Sequence, residues 1–176
     1  MNKLFGFFAM GVMVLTSCSG AQNAEQPWIV DRFDDIKVIR YEVPGFENLT
    51  LEEKELVYYL SEAAKCGRDI LFDQNFKYNL AIRRTLETIY TQSDVREGDE
   101  FVAFEKYLKK VWFANGIHHH YSNDKFKAEF SEAWFREQLA KYINEENRQI
   151  EDDLLCKIIF DEKLYAYASI RRRVSM

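Results

Sequence analysis

The histidines of this chain stand side by side, as His118, His119 and His120, in the segment NGIHHHYSNDKF at residues 115–126, which we call the histidine loop. An imidazole ring can bind a metal, exchange a proton near neutral pH or hydrogen-bond to backbone. Zinc requires three or four ligands that converge on one point. Neighbouring residues on a helix point about 100° apart, and in an extended segment only His118 and His120 share a face. The run by itself therefore does not form a metal site.

Three interpretations of the histidine loop stay open. Its rings bond backbone and pack on aromatic side chains, or it faces a substrate cleft, or it is part of a metal site whose other ligands lie elsewhere. Because loops after helix ends often carry function, the candidate cleft or substrate-loop residues are Asn115, His118, His119, His120 and Tyr121. The sequence has no H-E-x-x-H pattern and no cysteine pair at metal-finger spacing. It therefore predicts no catalytic residue and no metal ligand within this chain.

Other chemical groupings are weaker. Ser122 is near His118 and Asp124 in sequence, but members of a catalytic triad come together through the fold, and no glycines form a nucleophile elbow around this serine. Glu87 and Glu105 are plausible functional carboxylates, but with 29 acidic residues in the chain most must lie on solvated faces. The seven glycines are scattered and form no phosphate-binding loop.

The bulk composition describes one acidic, well-packed domain. A chain of 176 residues with 47% hydrophobic and 15% aromatic residues can bury a sizeable core and is not a disordered protein. The formal net charge is -5, and loss of a leader containing Lys3 makes it one unit more negative. Because nucleic-acid affinity depends largely on neutralised phosphates, and the dense basic run is confined to residues 171–173, we predict no nucleic-acid partner.

The N-terminus predicts export and lipid attachment. One positive charge precedes an apolar run at residues 4–15, which suits a signal peptide and is too short to span a membrane. The run ends in LTSC, which resembles the lipobox of bacterial lipoproteins. We predict a signal peptide at residues 1–17 and lipidation of Cys18, which anchors an exported protein to the membrane, on the periplasmic side or the cell surface. The alternative is ordinary secretory cleavage after Ala21 or Ala24.

The remaining cysteines lie in apolar surroundings. Cys66 stands among the apolar positions of a predicted helix, and Cys156 is part of LLCKIIF. We predict that both are buried as small hydrophobic residues. A disulfide between them is the alternative, because an exported protein meets an oxidising environment.

The body is predicted to be mainly α-helical, with a single N-terminal β-strand. Residues 18–30 form a polar tether, and residues 31–165 form the body. The strand begins at Ile36 and ends at Val43, where a Pro-Gly pair stops it. No partner strand of similar quality follows, although the backbone groups of a strand require one.

Helical periodicity predicts five helices after the strand. The first begins after Thr50, where Glu53 completes a capping box, and continues through Gly67. Ser131 is the predicted N-cap of the fourth helix. The apolar positions of the five helices are, in order, Leu56, Leu60, Ala63, Ala64, Ile70 and Leu71; Ile82, Leu86, Ile89 and Tyr90; Phe101, Phe104, Leu108, Val111 and Trp112; Phe135, Leu139 and Ile143; and Leu155, Ile158 and Ile159.

Two long segments resemble a known family. RYEVPGFENLTLEEKELVYYLSEAAKCGRDILFDQNFKYNLAIRRTLETIY at residues 40–90 and VWFANGIHHHYSNDKF at residues 111–126 are similar to the N-terminal part of bacterial dipeptidyl-peptidase III proteins, the M49 zinc exopeptidases. GRDI-x-x-DQN and NGIHHHY are the most characteristic pieces. The resemblance extends from about residue 31 to residue 165, and residues 166–176 depart from it as an aberrant or disordered tail.

The resemblance implies a part of a larger enzyme. Members of the family are longer, bilobal proteins that release dipeptides from the N-termini of short peptides in a cleft between two lobes. Their zinc is held by an H-E-x-x-G-H motif and a later glutamate, and the glutamate of the motif activates water. This chain lacks that motif, so no catalytic role transfers to any of its residues. The strand would belong to a barrel completed by missing sequence, and the tail would result from a frameshift or a truncated gene.

The sequence thus predicts an N-terminal fragment of a dipeptidyl-peptidase III-like enzyme that is inactive alone. Zinc belongs to the full-length family and is not expected in this chain. The histidine run is interpreted as a family feature near the cleft or the lobe surface. The alternative function is a small lipid-anchored peptide-binding or interaction module without catalysis, and a metal scavenger that uses residues 118–120 is a third possibility.

Overall fold

The computed structural model describes residues 28–94 and 96–167, and it is mainly helical with a small antiparallel sheet. The predicted signal peptide, Cys18, most of the tether and residues 168–176 lie outside these ranges. The strands are β1 (Ile29–Phe33) and β2 (Ile36–Ile39), and a 3-10 turn covers Phe46–Asn48. The helices are α1 (Leu51–Cys66), α2 (Arg68–Asn75), α3 (Asn79–Gln92), α4 (Asp99–Ala114), α5 (Glu132–Tyr142) and α6 (Asp152–Phe160).

The predicted lone strand is wrong in two respects. It pairs with β1, which begins inside the predicted tether, and the two strands form an antiparallel hairpin in which Phe33 lies opposite Ile36. The strand also ends at Ile39 and not at Val43. The hairpin turns at Asp34, whose φ of 52° is left-handed, a conformation that aspartate tolerates better than most residues. Sequence reasoning missed β1 because a hydrophobic pattern of five residues is too short to distinguish from a tether.

The first predicted helix is two helices. α1 has the predicted capping box, in which the Thr50 side chain accepts from the Glu53 backbone and the Glu53 carboxylate accepts from the Thr50 backbone. The helix is interrupted at Gly67, whose N–H bonds to the carbonyl of Ala64, and α2 starts at the next residue. The prediction of one continuous helix through Gly67 is therefore wrong, because the helix breaks at this residue.

The predicted buried face of α1 and α2 is largely exposed. Leu56, Leu60, Ile70 and Leu71 are all exposed, and Phe72 is the buried residue of α2. The prediction that Cys66 is buried is wrong, because this residue is exposed, whereas Cys156 is fully buried as predicted. Both thiols are free, and burial raises the pKa of Cys156 to about 11.

The core lies among α3, α4, α5 and α6, where the helical periodicity is confirmed. The fully buried side chains of this core include Ile82, Leu86, Phe104, Leu108, Phe135, Leu139, Leu155 and Ile158. Phe104 is at its centre, and its ring lies 5.6 Å from that of Phe130 and 5.5 Å from that of Trp134, measured between ring centroids. Aromatic rings at these separations contribute beyond the area they bury.

The start of α5 is also as predicted. Ser131 caps it by accepting from the backbone N–H of Trp134, and the rings of Phe130 and Phe135 lie 5.5 Å apart across the start of the helix. Glu100 of α4 accepts from both the backbone and the hydroxyl of Ser131, which joins the N-terminal turns of two core helices. Within residues 28–94 and 96–167, no helix is both long and apolar enough to cross a membrane.

Candidate functional site

The histidine loop begins where α4 ends in a left-handed residue. Asn115 has φ 55° and closes the helix, and Gly116 follows with its Cα packed against the side chain of Asn79. A Cβ at position 116 would lie 2.1 Å from Nδ2 of Asn79, so only glycine fits there. This Asn79 amide donates to the carbonyl of Asn115 and accepts from the backbone of Ile117 at 3.1 Å. One buried side chain of α3 thus fixes both sides of the turn.

The loop then folds back on itself as a short hairpin. Phe126 donates its N–H to the carbonyl of Ile117 at 2.8 Å, and His119 donates to the carbonyl of Asp124 at 2.8 Å. His118 and Lys125 form an antiparallel bridge between the two arms. The loop tip turns at Asn123, which has φ 62° and donates its N–H to His119. The histidine run therefore lies along one arm of a backbone-bonded loop.

The segment after α6 joins the loop as a third strand-like piece. Lys125 donates its N–H to the carbonyl of Ala166 at 2.9 Å, and Asp124 bridges to Tyr167. The ammonium of Lys125 donates to the carbonyl of Ile158 in the last turn of α6 and to those of Asp161 and Leu164 just after the helix. A cation at this position satisfies helix carbonyls that have no partner within the helix. Partial burial lowers the pKa of Lys125.

His118 is the buried member of the run. Its ring is 6% exposed, lies edge-on to Phe76 at 5.4 Å between centroids, and bonds through Nε2 to the carbonyl of Tyr165 at 2.8 Å. Because a carbonyl oxygen only accepts, Nε2 carries the proton. Burial lowers the pKa of His118 and the nearby Lys125 charge acts in the same direction, whereas the bond to Tyr165 opposes them. The neutral ring holds the loop against the segment after α6.

His119 and His120 make different contacts from those of His118. Nδ1 of His119 accepts from the backbone N–H groups of Tyr121 and Ser122, at 3.3 and 3.2 Å, and so closes a tight turn. The exposed ring of His120 stacks on His119 at 4.7 Å and lies 4.1 Å from Tyr121 and 5.1 Å from Phe113, between centroids. These rings form an aromatic surface at the loop.

A groove of about 810 Å³ lies beside this aromatic surface. The β1–β2 turn, the last part of α4 and the histidine loop bound it. The side chains that give it its character are Asp34, Lys37, Lys110, Phe113, His120 and Tyr121. It joins ring faces to charges of both signs, a combination that suits a short segment of peptide better than a purely apolar ligand.

Three lysines of α4 hold the hairpin that forms one wall of the groove. Lys106, Lys109 and Lys110 share one helical face, and Lys109 contacts Asp31 at 2.9 Å, while Lys106 and Lys110 both reach Asp34. The hydrogen bond from Lys109 lowers the pKa of Asp31, and that from Lys110 lowers the pKa of Asp34. The hairpin is thus attached to the helical body largely by charge, and such contacts weaken at high salt.

The structure brings four of the five candidate residues to the groove or to its rear. His119, His120 and Tyr121 line the groove, and His118 lies behind them. Asn115 lies with His118, His119 and Asn79 around a smaller adjacent cavity. In the described residues, no three His, Cys, Asp or Glu side chains are grouped as metal ligands. The rings bond backbone and pack on aromatic side chains, which is the first interpretation of the loop, and they also face a groove.

The residues that sequence reasoning missed are those that position the loop. Asn79 contacts the loop from a distance in sequence, whereas Lys125 lies within the loop and bonds carbonyls in and after α6, and neither belongs to a recognisable motif. The weaker candidates Glu87 and Glu105 have structural partners: Glu87 accepts from the indole of Trp112 at 2.8 Å, and Glu105 bonds Lys109 and the Tyr90 hydroxyl. A signal for Asn79 existed, since an asparagine inside an apolar helical pattern requires a partner when buried.

Comparisons with known proteins add no identification. No family model matches the chain, and no curated protein matches it. Function is therefore inferred from the residues themselves.

Proposed function

We propose that this chain is the N-terminal, mainly helical part of a zinc-dependent, dipeptidyl-peptidase III-like enzyme that releases dipeptides from peptide N-termini. In this proposal the zinc site is supplied by sequence outside this chain, which lacks H-E-x-x-G-H. The chain alone is then inactive, and its own part is to form one wall of a peptide cleft. It is exported and held on the membrane through lipid on Cys18.

The observation that supports the proposal best is the groove at the histidine loop. An extended peptide of a few residues would find ring faces at Phe113, His120 and Tyr121 and charged groups along the hairpin turn. The loop is held by backbone bonds, by Asn79 and by Lys125, so this wall is preorganised. Preorganised walls bind with a smaller loss of conformational entropy.

The hairpin gives a second line of support. After Ile39 the chain has no regular secondary structure as far as Val43, and it exposes Tyr41 and Val43, which are 83% and 67% exposed. Among the described residues β2 has β1 as its neighbour in the sheet, and its other edge is unpaired. Exposed edges of this kind accept further strands. The proposal assigns those strands to a barrel that the longer enzyme completes.

The first experiment is to sequence the gene beyond the codon for Tyr165 and translate all three frames. The expected result is a frame that continues into H-E-x-x-G-H and a later glutamate. Absence of such a frame from the downstream DNA would overturn the proposal.

The second experiment compares the longer product with this chain. Dipeptidyl-arylamide hydrolysis should be present in the former, be lost on chelation of zinc and return when zinc is added. The 176-residue chain should show none of it. Chelator-sensitive activity in the short chain alone would contradict the assignment of zinc to missing sequence.

One observation favours the alternative of a lipid-anchored binding module without catalysis. The core of α3 to α6 is closed, with Ile82, Phe104 and Leu155 fully buried within this chain. A closed core supports independent folding. Cooperative thermal unfolding of the chain, together with saturable binding of short peptides at the groove, would favour the module over the fragment.

A further inference from the structure

Two walls of the groove beside the histidine loop are held in different ways. The wall formed by the loop is held by backbone hydrogen bonds and by the fully buried amide of Asn79. A second wall is the turn of the β1–β2 hairpin, at residues 34–37. No residue of this hairpin is buried within residues 28–94 and 96–167. The first wall is therefore part of the packed body, whereas the second lies on its surface.

The apolar side chains of the hairpin contribute little to its attachment. Ile29, Phe33 and Ile36 are half-buried, but in the described part of the chain none of them packs against the buried core. The strands also make no backbone hydrogen bond to the helical body within these ranges. A two-stranded hairpin alone is marginally stable in water. The fold of this hairpin therefore depends on the side-chain contacts that join it to α4.

Those contacts are ion pairs on one face of α4. Lys109 contacts Asp31 at 2.9 Å, and Lys106 and Lys110 both reach Asp34. The side chains of the two aspartates are 41% and 38% exposed. Ion pairs that water reaches are individually weak, and dissolved salt screens them. The hairpin is therefore held by contacts that a rise in ionic strength weakens together.

The lysines keep favourable contacts when the hairpin leaves. Lys106 also contacts Glu129 at 2.9 Å, and Lys109 also contacts Glu105 at 3.3 Å, so both have a second carboxylate within the helical body. The Lys110 ammonium lies 5.9 Å from the centre of the Phe126 ring in the histidine loop. Separation of an ion pair is costly when a charge stays buried without a partner. These second contacts reduce that cost, so release of the hairpin does not require unfolding of the body.

We propose that the β1–β2 hairpin is a salt-sensitive flap of the groove. Docked on the lysines of α4, it forms one wall and closes the groove, and on release it leaves the aromatic surface of the loop open to solvent. A ligand that contacts both walls stabilises the docked hairpin, and its affinity falls as ionic strength rises. This inference uses the groove and its ion pairs and does not depend on the peptidase proposal.

Amide hydrogen exchange of the full chain, followed by mass spectrometry, tests the flap. Potassium chloride is raised from about 0.1 M to about 1 M, which shortens the electrostatic screening length from about 10 Å to about 3 Å. Exchange in residues 29–39 should then rise by roughly two- to tenfold, the change that loss of one or two exposed ion pairs gives. Exchange in α3 should stay unchanged. No rise in the hairpin, or an equal rise in α3, would overturn the proposal.

Two neighbouring carboxylates of the turn provide matched variants. Asp34→Asn removes the charge that Lys106 and Lys110 contact, and asparagine tolerates the left-handed φ of 52° at this position. Asp35→Asn removes the same charge from the next residue, which is exposed and takes no part in the ion pairs of the described hairpin. At low salt, exchange in the hairpin should rise for Asp34→Asn and not for Asp35→Asn. Equal exchange in the two variants would contradict docking through Asp34.

The width of the groove gives a second readout. Spin labels are attached at Lys37→Cys in the hairpin turn and Ser122→Cys in the histidine loop, two exposed residues that line the groove. Cys18 and Cys66 are replaced by serine, and Cys156 stays because it is fully buried. Pulsed electron paramagnetic resonance should give one narrow distance at low salt and a longer, broader distribution at high salt. A distribution that does not change with salt would overturn the proposal.

Discussion

α1 and α3 have similar sequence patterns and opposite environments. Both are amphipathic helices of about four turns, but α3 buries Ile82, Leu86 and Ile89 completely, whereas no residue of α1 is buried by the described chain. The boundary between the two environments runs through α2, where Phe72 is buried and its neighbours Ile70 and Leu71 are exposed. Hydrophobic periodicity thus identifies a helix and its apolar face, but it does not identify which element packs against that face.

The buried side of this boundary is reinforced by charge. Arg83 of α3 is 6% exposed, contacts Asp69 of α2 at 2.8 Å and lies over the ring of Phe72 at 4.6 Å. The hydrogen bond from Arg83 lowers the pKa of Asp69. α2 is therefore held to the core by the turn that contains Asp69 and Phe72. α1 precedes this turn in the chain and lies outside the core.

The largest expected contrast is between two identical truncations. Leu86→Ala removes a fully buried side chain of α3 and should lower the free energy of unfolding by about 2–5 kcal/mol. Leu60→Ala removes an exposed side chain of α1 and should change it by less than about 0.5 kcal/mol. Urea unfolding at low protein concentration measures both. Equal losses would show that the face of α1 is covered within a single chain.

Two glycines provide the next contrast. Gly116→Ala forces a Cβ against Asn79 and should cost about 1–3 kcal/mol, as overpacking does. Gly67→Ala meets nothing closer than 3.5 Å and has helical φ and ψ, so it should stabilise the chain or leave it unchanged, by up to about 1 kcal/mol. The thermal midpoint should fall for Gly116→Ala, and it should rise or stay unchanged for Gly67→Ala. A lower midpoint for Gly67→Ala would mean that the break between α1 and α2 is required.

The two helix caps should also differ in their contribution to global stability, which should be larger for the cap of α5 than for that of α1. Ser131→Ala removes the cap of α5 and the hydrogen bond from the Ser131 hydroxyl to Glu100, and should cost about 1 kcal/mol of global stability. Thr50→Ala removes the capping box of α1, and should reduce helical circular dichroism with little effect on the urea midpoint. An equal midpoint shift in the two variants would place α1 within the cooperative unit.

The smallest effect is a pH dependence that comes from the loop. Burial lowers the pKa of His118, so the unfolded chain binds the proton more readily than the folded one. Stability should therefore be complete above the ordinary histidine pKa of about 6.5 and fall as the pH drops below it. Urea midpoints between pH 7.5 and 5.5 measure this slope.

The matched variants for this pH dependence lie within the same histidine run. His118→Gln should flatten the slope, whereas His120→Gln, at the exposed ring, should keep it. An unchanged slope in His118→Gln would contradict the role of its buried ring.

Much of the packed half could be predicted from sequence. The apolar faces of α3, α4 and α6, the Ser131 cap and the end of α4 at Asn115 all follow from periodicity and capping chemistry. These signals are local in sequence. They predict burial correctly here because the elements that pack against these helices are themselves regular helices.

The sequence predicted less where contacts with residues distant in sequence determine the structure. Cys66 has an apolar neighbourhood in sequence, but among residues 28–94 and 96–167 nothing buries it, so it is exposed. β1 is a short strand that is fixed by the lysines of α4, which no pattern within the strand reveals. In the histidine loop, the positions of the rings depend on Asn79 and Tyr165, which other parts of the chain contribute, and on the bonds from Lys125 to carbonyls in and after α6.

The contact between Gly116 and Asn79 also constrains how related sequences can vary. Any side chain at position 116 requires a smaller residue at position 79, but shortening Asn79 leaves the Ile117 N–H and the Asn115 carbonyl without the amide that serves both. Neither position can change alone without loss. We therefore expect the pair to covary in an alignment, either kept together or replaced together along with the turn they build.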